Sequence, residues 1–483
     1  MLKAAARTFS ILPEAHAGTT SLTGAAAGKV AGPLQATVML LESGDQRVCL
    51  LTSDFVEEYC RFSNLRRRRV ASCLGIRPDQ VLAFASHNHS DVLVCSRPGH
   101  GMPRFHECLE ESDLTTAGRQ LLDGTVQAAA RLPSELVPVR AWWAVGHERR
   151  ITYNRKGRRA DGSTYFMREE DRVLLGQDFN GDIDDDAPVI MFRDLSNTPV
   201  CCLVQFTGHP VTAYHPEDPV VHGEYPQVAC EHLSKAFDGI PVAFLQGCAG
   251  DTSSKGFITN RPVDERVSDA VRYGVFLGET YMQAARSLKR SQRQDLGLAS
   301  ARVRLPFRPL PSAMRLRAII REIETFMESC ARGDESALAC VGLNLPRAFS
   351  PRYRIELVRP TLRWAEWALS FHTEGRLAEV PRCAEAEVAA IRIGDIGIVG
   401  MFGEPFLGIG RQIKRQSILP LAVPCGYMND SALAYIPDAP NNGDWDYPSS
   451  FFRNTTSLLP YRNPAGDRLA RTGVRLLEAI TEV

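Results

Sequence analysis

The chain has 483 residues, 44% hydrophobic, 23% charged and 8% aromatic, with 56 basic and 56 acidic side chains. That is enough apolar material for a sizeable core and too much for general disorder. The zero net charge exerts no global pull toward nucleic acid or an anionic membrane. Its length suits either two or three average domains or one large α/β unit. No uncharged apolar run approaches the roughly twenty residues of a spanning helix, and Met1–Leu12 lacks a basic-then-apolar leader pattern. The thirteen cysteines are scattered without a Cys-x-x-Cys pair. Those inside apolar runs (Cys49, Cys201, Cys202, Cys248) read as small hydrophobes, so a reducing, cytoplasmic setting is expected.

In chain order, residues 35 to 56 read as two strands joined by the turn Glu42-Ser-Gly-Asp45. A helix over about 57–74 carries Arg66-Arg67-Arg68-Arg69, taken as a solvated helix face in preference to a nucleic-acid patch. Gln80–Ser86 is a buried-strand pattern that stops at His87. Helical spacing runs from Asp113, a candidate cap, to Leu132. Residues 187–206 form a second hairpin pattern ending just before Gly208-His209. A helix over 227–236 and a strand over 241–246 follow, and helices are predicted at 263–289, 312–332 and 361–370. A third hairpin, 389–400, leads into Glu404, and an amphipathic helix closes the chain from Pro464 to Glu482. No internal repeat is visible. The expected fold class is α/β in the mixed α+β sense, with mixed sheets flanked by helices in one large domain.

Polar residues cluster where buried strands end: Ser86-His87-Asn88-His89-Ser90, Gly208-His209-Pro210, Gln246-Gly-Cys-Ala-Gly-Asp251 and Gly403-Glu404-Pro405. Strand-end loops are where a rigid scaffold displays functional groups. Two histidines and a carboxylate presented this way suit zinc, which takes imidazole nitrogen and carboxylate oxygen and leaves a position for water.

These motifs together resemble the neutral/alkaline (non-lysosomal) ceramidase family, through its catalytic N-terminal domain. Ser86-His87-Asn88-His89-Ser90 is similar to that family's Thr-His-Thr-His-Ser segment, and Gly208-His209-Pro210 to its later strand-end histidine. Leu245-Gln246-Gly247-Cys248-Ala249-Gly250-Asp251 matches its Leu-Gln-Gly-x-x-Gly-Asp block. Phe402-Gly403-Glu404, with Gly410-Arg411, matches its Pro-Gly-Glu and Gly-Arg. The resemblance spans roughly residues 30–480. It implies one zinc per chain held by His87, His209, Glu404 and Tyr435, with Tyr427 as the competing tyrosine. It further implies that His89 and Arg155 face the substrate and that Ser253 takes part in catalysis. His222 and Glu224 border the site or serve as caps. Thr252-Ser253-Ser254-Lys255 replaces the family's Val-Ser-Pro-Asn, Asp91-Val92-Leu93 replaces its Gly-Pro, and no C-terminal β-sandwich-like domain is expected. These departures point from ceramide to a smaller, more polar amide or ester.

The expectation is therefore one ceramidase-like zinc hydrolase domain over 1–483, with a variable, mostly helical insertion at about 305–385. It cleaves a non-peptide amide with metal-activated water. An esterase or lactonase, a condensing enzyme running the reverse reaction, and an inactive scaffold are the alternatives. Neither nucleic acid nor a transmembrane segment is expected. Asp178–Asp186 has oxygen donors at alternate positions, as a calcium loop has, but Ile183 and Val189 occupy the places of its glycine and glutamate. Weak Ca2+ binding or a solvated acidic turn are the readings there. A Gly-x-Ser-x-Gly nucleophile elbow is absent from the sequence.

Overall fold

Three hairpins in this chain are each followed by a helix and then by a strand that returns parallel to the hairpin's second arm. The computed structural model describes residues 1–11, 26–56, 60–96, 102, 105–430 and 432–481. After β1 (Lys3–Ile11), the first unit comprises β2 (Leu34–Ser43), β3 (Gln46–Ser53), α1 (Cys60–Leu74) and β4 (Val81–Ala85). Helix α2 (Thr116–Glu135) and β5 (Val137–His147) lead to the second: β6 (Asp186–Asp194), β7 (Pro199–Phe206), α3 (Glu224–Ala236) and β8 (Val242–Gln246). Then α4 (Val263–Ala285), β9 (Leu296–Pro306), α5 (Ala313–Ala331) and α6 (Pro351–Thr373) precede the third unit. That unit is β10 (Cys383–Ile393), β11 (Ile396–Met401), α7 (Leu407–Gln416) and β12 (Leu421–Cys425), and α8 (Ala465–Ala479) ends the order. One sheet runs β8-β7-β6-β5-β1-β2-β3-β4, with Lys289–Arg290 pairing β5; a second runs β9-β10-β11-β12. Only β3–β4, β7–β8 and β11–β12 are parallel within them.

The two sheets pack face to face through Met39, Leu50, Phe84, Ile190, Leu203 and Leu245 against Ile391, Ile398 and Val423. Helices cover the outer faces. α1 and α2 lie over β2–β4, α3 and α4 over β6–β8, and α5, α6, α7 and α8 over the second sheet. A strand covered on both sides must be apolar at every position, and β4, β8 and β11 are buried throughout. The helical segment at 305–385 shares this core: Leu316, Ile323, Val358 and Trp364 pack in one cluster with Val388 and Val399.

Several expectations change. Thr115, not Asp113, caps α2, its hydroxyl accepting from Gly118 N at 3.1 Å. The helix expected at 227–236 starts at Glu224, and the one expected at 361–370 runs from Pro351 to Thr373, past an internal Pro360 that masked its extent. β1, β5, β9, β12 and α7 have no counterpart in the sequence reading. Residues 57–59 and Glu482, included in predicted helices, lie outside the described residues. The arginine run is only half solvated. Arg66 and Arg67 are buried, Arg67 Nε donating to Val81 O at 2.7 Å and its guanidinium lying 3.4 Å from Glu387 on the other sheet. A repeat unseen in the sequence is present in the topology, because a ββαβ unit needs an apolar pattern and no particular side chains. Among the described residues twelve cysteines are free, and no helix is long and apolar enough to cross a membrane.

Candidate metal centre

The C-terminal ends of the three parallel pairs converge. β4 ends into His87, β7 into His209 and β11 into Glu404, and all three side chains are buried. The loop after β12 turns back along β4, with Ala85 N on Tyr427 O and Asn429 bonding both Ala83 N and Ala83 O. A two-residue parallel ladder pairs Glu404–Pro405 with Tyr435–Ile436, and this ladder brings Tyr435 to the site. His87 adopts φ +63°, sterically costly for a residue with a Cβ and accepted where the surroundings overdetermine the turn.

Both histidines have their orientation set from behind. His87 Nδ1 meets Val56 O at 2.7 Å, and His209 Nδ1 meets Ala249 O at 2.8 Å and Thr252 O at 3.1 Å. A carbonyl can only accept, so each Nδ1 carries the proton and each Nε2 presents a lone pair. Those lone pairs face Glu404 Oε2, at 3.2 Å from His87 and 3.0 Å from His209. Burial and then the Arg155 charge push the His209 pKa down to about 3, so this imidazole is neutral at neutral pH. Burial opposes ionisation of Glu404, but His87 and His209 hold its pKa at about 2. Two imidazole nitrogens and one carboxylate oxygen therefore converge on one point. The cationic donor beside them is Arg155, whose Nη2 lies 3.0 Å from His209 Nε2 and 2.8 Å from Gly250 O. This donor set fits a divalent cation that prefers imidazole and carboxylate.

The other expected residues fall around this point. Tyr435 OH is 3.5 Å from His209 Nε2, too long for a good hydrogen bond, while Tyr427 lays its ring against His87 with centroids 4.3 Å apart. His89 Nε2 reaches 3.1 Å from His87 Nε2, and the ligand nitrogens of His87, His89 and His209 all lie within 4.8 Å of one another. His89 differs from the other two in being partly exposed and in having no carbonyl behind Nδ1 among the described residues. Ser253 lies on a short strand between Tyr153 and His209, and its buried Oγ has no partner among the described residues. Glu224 accepts from Ser90 Oγ at 2.9 Å, and His222 O accepts from Asn88 Nδ2 at 2.8 Å. Together they brace the His-Asn-His-Ser turn. The acidic segment is an ion-paired seam: Lys414 meets Asp184 and Asp186 at 2.7 Å, and Arg411 meets Asp182 at 2.6 Å. Three of its carboxylates pair with cations of α7, and Asp185 and Asp186 lie with His147 in a partly exposed group that could hold a metal ion.

Sequence reasoning quoted Gln246 without giving it a role. Its Nε2 donates to Ser86 O and Gly208 O, both at 2.8 Å, and its Oε1 accepts from Gly208 N at 3.2 Å. One buried amide thus holds the residue before each histidine; a glutamine at the end of an all-apolar strand was the available signal. Two clefts, of about 480 and 1010 Å³, flank this region, reached by Asp251 and Lys255 respectively. Neither is lined by the histidines.

With this arrangement in view, comparison with solved structures finds chains of similar shape, two ceramidases among them. Neutral ceramidase from Pseudomonas aeruginosa superposes with a TM-score of 0.65 at 16% identity, covering 100% of this chain and 74% of that one. A ceramidase complexed with C2 superposes at 0.64 and 15%, covering 100% and 75%. This chain has the ceramidase fold. It is mixed α+β, as expected from the sequence. No protein-family model and no curated protein matches the sequence.

Proposed function

We propose that the chain is a zinc-dependent hydrolase of a non-peptide amide, its metal held by His87, His209 and Glu404 with Tyr435 as the fourth ligand. The observation that carries this reading is the convergence of three buried acceptors, two of them imidazole nitrogens whose lone pairs are aimed by backbone carbonyls. Zinc bound there supplies Lewis acidity and a hydrolytic nucleophile at neutral pH. His89, which burial and then the neighbouring His87 keep neutral, is in the state to accept a proton from water and pass it to the leaving nitrogen. Burial opposes the charge of Arg155, but Glu404 and the surrounding tyrosines together raise its pKa above the usual arginine value. Its guanidinium can donate to a developing oxyanion, and the unpartnered Ser253 hydroxyl offers a second donor. Both solved neighbours are named ceramidases, which favours an amide over an ester. The changed residues at Asp91–Leu93 and Thr252–Lys255 favour a substrate smaller and more polar than ceramide, and the scattered cysteines favour a reducing, cytoplasmic setting.

The test is elemental mass spectrometry on wild type and His87→Ala purified without chelator, beside amine release from short acyl amides. About one zinc per wild-type chain, lost together with amine release in the variant, supports the reading. A folded wild type without stoichiometric metal would turn the search to a scaffold role.

A further inference from the structure

Arg168 opens the short helix Glu169–Leu175 and is 7% exposed. Several other buried arginines have more partners. Arg172 has Glu169 at 2.6 Å, Arg354 has Glu335 at 3.4 Å, and Arg453 spreads its N–H groups over Ser450 Oγ and two backbone carbonyls. Arg168 makes one side-chain hydrogen bond, Nη2 to Asn344 O at 3.2 Å, and its buried Nε has no partner. Among the described residues no carboxylate pairs with it. Asp171 instead accepts from its backbone N at 2.9 Å. Burial lowers its pKa to about 10, so it remains a cation at neutral pH.

Aromatic faces surround this cation, with Phe166, Phe257 and Tyr447 centroids at 4.0, 5.8 and 6.0 Å. Such faces offset only part of the cost of desolvating an unpaired ion. Three contact paths lead from it to the candidate centre. Phe166 also lies under Arg155, at 5.2 Å. Phe257 stacks on Tyr214, whose edge meets His89 at 5.3 Å. Tyr447 meets Tyr435 at 6.0 Å. The guanidinium and the candidate centre are thus linked through shared aromatic neighbours, and the two guanidiniums are no further apart than their distances to Phe166 allow. Asn344 pins this arrangement by bonding both Phe166 N and Phe166 O.

We propose that Arg168 binds a substrate carboxylate, which makes N-acyl amino acids the amide class this site takes. A planar guanidinium with unused N–H groups matches a carboxylate in two-point geometry. The substrate class rests on the hydrolase reading above; the carboxylate contact does not. In the reaction the amide C–N bond breaks, the hydroxyl of water goes to the acyl carbon and its proton to nitrogen, releasing a fatty acid and an amino acid. Asn344, which accepts from Arg168, belongs to the segment at 305–385, so that segment helps to place the guanidinium.

The experiment uses an uncleavable probe, hexanoylglycine with a methylene in place of the amide nitrogen, and its neutral primary amide, with calorimetric titration of the full chain as isolated. Wild type is expected to bind the acid about tenfold to a hundredfold more tightly. Arg168→Gln should bring the two affinities together, and Arg168→Lys should restore part of the preference. Equal affinities in wild type overturn the proposal whether or not the variants fold. A preference that survives in folded Arg168→Gln also overturns it, since the carboxylate would then be held elsewhere, for instance on the metal. A metal-free chain that shows the Arg168-dependent preference keeps the carboxylate site and sinks the hydrolase reading.

Discussion

Gln246 acts through two carbonyls and touches neither imidazole. Replacing its amide by a carboxylate in Gln246→Glu removes both donors and sets an acceptor against Ser86 O and Gly208 O. Residues that orient metal ligands typically change affinity by about tenfold to a hundredfold. The variant should therefore weaken zinc by that factor in a titration against a competing chelator, while wild-type affinity would reduce Gln246 to a packing role. Glu224 belongs to the same scale. Burial raises its carboxyl from 4.5 to about 7, so between those values the folded chain holds a proton that the unfolded chain has released. Stability from this group is therefore complete below about pH 4.5 and declines as pH rises to about 7, by on the order of 3 kcal/mol. Glu224→Gln mimics the protonated form, so its stability relative to wild type should improve across that window. A difference in melting temperature that stays constant with pH would show that Glu224 does not titrate there.

At the scale of elements, the site depends on loops held against one another at the ends of separate strands. Asp251 Oδ1 accepts from Leu407 N at 2.8 Å at the start of α7, and Gly250 N donates to Pro405 O at 3.0 Å. The loop after β8 is thereby tied to the loop carrying Glu404. A Cβ at Gly250 would lie 2.6 Å from Glu404 O and 2.7 Å from Phe406 Cδ1. Gly250→Ala should accordingly cost about 1–3 kcal/mol in denaturant unfolding and shift the Glu404 backbone enough to lower metal occupancy. Unchanged occupancy would show that the loop can yield without moving the ligand.

At the scale of the molecule, the candidate ligands come from two sheets and from positions more than three hundred residues apart, so a bound ion cross-links both layers. An ion that binds only the folded state stabilises it by about 4 kcal/mol when its free concentration is a thousand times Kd. Chelator treatment should lower the melting temperature by several degrees, added zinc should restore it, and His209→Ala should be insensitive to both. Equal chelator sensitivity in wild type and variant would place the metal elsewhere.

Read alone, the sequence carried the three hairpins with their returning strands β4 and β8, most helices and the identity of the polar residues at strand ends, because burial on both faces forces apolar runs that stop where function begins; β1, β5, β9 and β12 escaped it. It also carried the resemblance to ceramidases through four short motifs, although 16% identity leaves little else to compare. Tertiary structure alone decided what those residues meet. Carbonyls of Val56, Ala249 and Thr252 aim the imidazoles, and backbone groups leave no mark on composition. The role of Gln246, the burial of Arg66 and Arg67, and the uncompensated charge of Arg168 all depend on contacts with distant segments. Periodicity reports only which face of an element is covered, never by what.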